Sequence, residues 1–162
     1  MITGLEKLTD DQRQKTTDAM AWITVLIAGA DGKIDADETA WAEKVTKIRG
    51  YHNPPNQLTS FYEAVGAEFS DKLDNLIANV PENVSERNAI LTRKLEQLND
   101  ILPLLDKNNM GFHLLASYRS FAEHIAKSSG GFLGFFSVST DESNLIGLPM
   151  INDIPFVDPE VS

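Results

Sequence analysis

Four carboxylates, Asp31, Asp35, Asp37 and Glu38, fall within eight residues in the stretch Ala30-Asp31-Gly32-Lys33-Ile34-Asp35-Ala36-Asp37-Glu38. Oxygen ligands of this kind suit hard divalent cations, and a bend between two helices is a common place to gather them. Laid over a calcium loop of the EF-hand kind with Gly32 at the sixth position, Asp31 takes the fifth, Ile34 the eighth, Asp35 the ninth and Glu38 the twelfth. The first and third positions are then Ile27 and Gly29, which bring no side-chain oxygen. The standard EF-hand is excluded on that ground. A structural role accounts for the same residues. Asp31-Gly32 is a turn dipeptide, Asp35 an N-cap with Glu38 completing its capping box, and Asp37 a complement to the helix dipole. Electrostatics separates the two cases. Two carboxylates about 4 Å apart repel by about 4 kcal/mol at an effective dielectric of about 20. A corner that converges three of them must take up a cation or keep a proton, whereas carboxylates splayed into water need neither.

Nothing else in the chain offers comparable chemistry. His52, His113 and His124 are far apart and lack the His-Glu-x-x-His spacing of a zinc helix. No serine sits in a Gly-x-Ser-x-Gly elbow, and the glycines at 130, 131 and 134 lack the lysine and strand of a phosphate-binding loop. No residue is assigned a catalytic role, and the chain is expected not to be an enzyme. An enzyme that uses a carboxylate-bound cation to activate water is the weakest of the readings. Phe132, Leu133, Phe135 and Phe136 form an apolar cluster beside those glycines. Buried, they plug the end of a bundle; exposed, they offer a docking surface to a partner protein or a second subunit.

The elements that must position these residues have helical periodicity. Thr9-Asp10-Asp11-Gln12 has the form of a capping box, and Ala19, Ile23, Leu26, Ile27 and Ala30 then fall on one face. This first helix is expected to end between Gly29 and Gly32, where glycine tolerates the left-handed conformation. A second spans about Asp35 to Arg49 with Trp41, Val45 and Ile48 inward, before the loop Gly50-Tyr51-His52-Asn53-Pro54-Pro55. Leu58, Phe61, Tyr62, Val65 and Phe69 mark a third, and Ser70-Asp71 caps a short fourth. Ser85-Glu86 opens a fifth, carrying Leu91, Leu95, Leu98, Leu102 and Leu105, which Pro103 kinks or ends. A sixth follows Asn108-Asn109 with Leu115, Tyr118, Ala122 and Ile125 inward, and Ser139-Thr140-Asp141-Glu142 starts a short seventh. No segment alternates with period two. The expected fold is therefore all-α, with residues 1–153 as one helical domain and 154–162 as an extended or disordered tail.

Composition narrows the function. With 24 acidic and 14 basic residues the net charge is −10, which repels phosphate backbones and leaves cations or basic protein patches as suitable partners. The expected partners are other proteins or further copies of the chain, with no nucleic acid. The absence of cysteine removes disulfides, thiolate zinc sites and thiol nucleophiles. No apolar run approaches the roughly 20 residues of a membrane span, and the first residues do not resemble a signal peptide. A cytoplasmic location is the simplest expectation.

The helix–corner–helix pattern occurs twice. Trp22 to Ala28 leads through Ala30-Asp31-Gly32 to Ile34-Asp35-Ala36-Asp37-Glu38, and Phe121 to Ala126 leads through Ser129-Gly130-Gly131 to Val138-Ser139-Thr140-Asp141-Glu142. Two such corners packed about a pseudo-two-fold axis would bring their acidic ends together. These two motifs, in this order, resemble the TerB family of tellurite-resistance proteins over about residues 10 to 150. The resemblance implies a compact all-helical bacterial domain, non-enzymatic and stress-related, with an acidic corner that binds a divalent cation. Carried across, the metal candidates are Asp31, Asp35 and Glu38 from the first motif and Glu142 from the second. Calcium, magnesium or manganese would be the cofactor ahead of zinc. Gly130 and Ser139 stand where a second corner would need carboxylates, which argues against a second metal site.

Overall fold

A computed structural model describes residues 2–30, 32–34, 36–51, 56–128, 145–158 and 160. Among them the regular structure is helical, and there is no strand. The five α-helices are α1 (Asp10–Ala28), α2 (Ala36–Gly50), α3 (Thr59–Asn79), α4 (Val84–Glu96) and α5 (Met110–Ser128). Three short 3-10 turns, Gln97–Asp100, Leu102–Leu104 and Lys107–Asn109, lie between α4 and α5. Five α-helices replace the expected seven for two reasons. Ser70 and Asp71 lie on the exposed side of α3 and do not interrupt it, so the third and fourth helices are one. The expected start of the seventh, at Ser139, lies outside the described residues.

Helix α1 begins where its capping box requires. Gln12 N–H donates to the Thr9 hydroxyl at 3.1 Å, and Thr9 N–H donates to the Gln12 side chain at 3.0 Å. From Ala19 to Ala28 every residue is buried, not one face alone. The helix packs on α2, α3, α4 and α5, and so forms the axis around which the others gather. Its burial extends to polar groups that find internal partners. The Tyr118 hydroxyl donates to the Thr16 carbonyl at 2.6 Å, and burial pushes the phenol well above its usual pKa.

Helix α2 turns a different face inward from the one expected. Glu38, Ala42, Val45 and Thr46 are buried, Trp41 is half-buried, and Ile48 is 56% exposed. The rotation follows from Arg49. Its guanidinium donates to Tyr62 Oη at 2.7 Å, to Ser117 Oγ at 3.1 Å and to Ser120 Oγ at 3.0 Å, and it lies over the Tyr62 and Phe121 rings. Drawing Arg49 between α3 and α5 carries Ile48, one residue earlier, round toward water. Helix α4 starts at Val84, capped by the Asn83 side chain at 2.9 Å from Glu86 N, and not by Ser85. It gives way to 3-10 geometry at Gln97, before Pro103, yet Leu91, Leu95, Leu98, Leu102 and Leu105 all remain buried. The α5 residues Leu115, Tyr118, Ala122 and Ile125 are buried as their spacing requires. No helix among the described residues is long and apolar enough to cross a membrane.

Candidate metal centre at the first helical corner

The corner between α1 and α2 begins at Gly29, whose N–H closes α1 on the Val25 carbonyl at 3.0 Å. Gly32 N–H donates to the Gly29 carbonyl at 3.1 Å, with Gly32 at φ +129°, a conformation that L side chains rarely adopt. Helix α2 then starts at Ala36, with Asp37 and Glu38 in its first turn. Asp37 is exposed; Glu38 is 1% exposed. Both are held by interactions within the chain.

An arginine that the acidic pattern does not announce fixes this corner. Arg87, in the first turns of α4, is 3% exposed. One nitrogen of its guanidinium, Nη2, donates to the Gly29 carbonyl at 2.6 Å and to the Gly32 carbonyl at 3.0 Å. The approach is so close that a Cβ at residue 29 would lie 2.5 Å from that nitrogen. Gly29 is thus required by contact with the arginine, since its own φ of −103° is one that any residue adopts. A guanidinium bridging two carbonyls makes charge-assisted bonds, roughly twice as strong as neutral ones. Among the described residues, Glu38 and Arg87 are the charged side chains in the buried set. The sequence held a signal for Arg87: it precedes Leu91 and Leu95 at steps of four, on the buried stripe of α4.

Beside the corner, Gly32, Lys33 and Ile34 face Ile77, Val80 and Pro81 across a surface pocket of about 480 Å³ that Glu82 and Arg87 complete. The pocket joins the corner to the end of α3. Its lining is mostly apolar, with charge from Lys33, Glu82 and Arg87.

Of the metal candidates, Glu38 is described and buried at the corner; Asp31, Asp35 and Glu142 lie outside the described residues. Among the described residues no three His, Asp or Glu side chains come together as a group able to hold a metal. The candidate docking residues Phe132, Leu133, Phe135 and Phe136, and the second copy of the corner, also lie outside the described residues. His113 lies edge-on to Phe112, with ring centroids 5.4 Å apart, and His124 is exposed. Next to His124, a hydrogen bond from Lys127 holds the Glu123 carboxyl below its usual pKa. No family model, curated protein or solved structure matches this chain.

Proposed function

We propose that the corner between α1 and α2 binds a divalent cation through Asp31, Asp35 and Glu38, in a non-enzymatic stress-response domain of TerB type. The burial of Glu38 carries this reading. Glu38 already holds one carboxylate of the motif inside the fold at this bend, seven residues after Asp31 and three after Asp35, and a cation would join the interactions that keep it there. Arg87 shapes the site in two ways. It already donates to the carbonyls of residues 29 and 32, which leaves the carboxylates as the ligands that the motif itself supplies. Its fixed positive charge also calls for an anionic ligand set before a second cation is accommodated. Three carboxylates meet that demand. Oxygen-only ligation favours calcium, magnesium or manganese. Glu142, from the second motif, would complete the set if the two corners pack together.

Titration of each cation against thermal unfolding tests the reading. A metal at a hundredfold excess over its Kd stabilises by about 2.7 kcal/mol, a rise in Tm of about 5–10 °C for a domain of this size. Asp31→Asn is expected to abolish the rise. No shift with any of the three cations at millimolar concentration would remove the proposal. A link to tellurite is tested separately, by whether tolerance conferred on a bacterial host is lost with the same substitution.

A further inference from the structure

The far end of the chain is held by main-chain recognition. Asn99, between α4 and α5, donates from Nδ2 to the Met150 carbonyl at 3.0 Å, and its Oδ1 accepts from Asn152 N–H at 2.8 Å. Asn109 takes both main-chain groups of one residue. Its Nδ2 donates to the Val157 carbonyl at 2.9 Å and its Oδ1 accepts from Val157 N–H at 2.8 Å. A side-chain amide bonded in this way imitates the partner strand of an antiparallel pair for a single residue. Asn109 sits at φ +55°, a left-handed conformation that asparagine tolerates better than most residues. Between the two amides, Arg119 pairs with Asp153 at 2.8 Å, and Phe156 lies edge-on to Phe112 at 5.3 Å and to His113 at 6.2 Å.

The two halves of this segment differ. Leu148 and Ile151 are core residues, at 0% and 2% exposure, so the Asn99 end is fixed. Beyond it the side chains of Asp153, Phe156 and Val157 are mostly in water, although each or its main chain has a partner on the body. Pro155 holds its own φ and offers no N–H, which keeps this stretch extended and free of competing turns. Residues 153–158 are thus bound as a short peptide ligand is bound: backbone by amide, one carboxylate by arginine, one ring by rings.

We propose that Asn109, Phe112, His113 and Arg119 form a docking face for an extended peptide from a partner protein, and that residues 153–158 occupy it in cis as a built-in competitor. The peptide it fits carries an acidic residue three positions before an aromatic one. A second copy of this chain is the poorer occupant. Its tail would make only the contacts already made in cis at high effective concentration, whereas a partner peptide is not confined to the contacts of residues 153–158. A net charge of −10 on each copy adds repulsion.

The test uses the full chain. The substitutions Asp153→Ala, Phe156→Ala and Val157→Pro together weaken the tail through exposed positions and leave the face and the core anchors intact. A fluorescein-labelled peptide Asp-Ile-Pro-Phe-Val-Asp is titrated into the wild type and into this triple variant, followed by anisotropy. The triple variant is expected to bind one peptide at least tenfold more tightly than the wild type. Adding Asn109→Gly, which keeps the left-handed backbone and removes the amide, is expected to weaken that binding at least tenfold. No saturable binding to the triple variant, equal binding to the wild type, or indifference to Asn109→Gly would each overturn the proposal. A wild-type dimer in light scattering that the triple variant converts to monomer would make a second copy the occupant, and would overturn the partner assignment.

Discussion

The first helical corner and the terminal segment are both irregular stretches tied down by side chains from elsewhere, yet they are tied differently. The corner is held by one buried guanidinium whose nitrogen serves two carbonyls, that of Gly29 deep in the fold and that of Gly32 nearer the surface. The outer terminal segment is held by several neutral or exposed contacts, each close to water. A buried, charge-assisted contact is strong and costly to break, because its partners are then stranded without solvent. Exposed contacts are each weak, because water replaces them. The chain therefore fixes one connection and leaves the other exchangeable.

Removing the arginine should have the largest effect. Arg87→Met is expected to cost about 3 kcal/mol by stranding the buried carbonyl of Gly29 and losing the bond to that of Gly32, measured by urea unfolding. A loss below 0.5 kcal/mol, by the same scale, would show that the corner does not depend on it. Gly29→Ala comes next, at about 2 kcal/mol, because its Cβ would meet the guanidinium. That cost should fall by more than half in the Arg87→Met background; a strictly additive double variant would break the link between the two residues. The smallest effect is expected at the other region. Asn109→Gly should change global stability by about 1 kcal/mol or less, while hydrogen exchange at the Val157 amide accelerates and that of α1 stays unchanged. Slowed or unaltered exchange at Val157 would erase the contrast between the regions.

The sequence was most legible where local chemistry and tertiary packing agree. The Thr9 capping box, the glycine end of α1 and the leucines after Leu91 stand where spacing puts them. It misled where a long-range contact outweighs local pattern. Arg49 rotates α2 and exposes Ile48, and the Ser70-Asp71 cap signal is silent inside α3 because a cap without a helix break is only two polar surface residues. At the candidate metal centre the sequence displays the carboxylates as a motif, but for Arg87 only a place on the buried stripe of α4, not its contact with the corner. Carboxylates cluster along the chain and are visible as a motif, whereas the arginine reaches the corner from 58 residues beyond Gly29. The role of Asn99 and Asn109 is hidden in the sequence for a related reason. A single asparagine reads as a turn residue, and only the fold reveals that its amide faces a backbone.

The solvent-free second half of α1 has a consequence for how the protein is made. Met20 to Ala28 leave the ribosome well before the helix that helps to enclose them, because α5 begins ninety residues after Met20. Throughout that interval a sticky segment waits without its cover, the condition under which nascent chains misassociate. The acidic character of the whole polypeptide, which keeps neighbouring chains apart, is a safeguard suited to that delay.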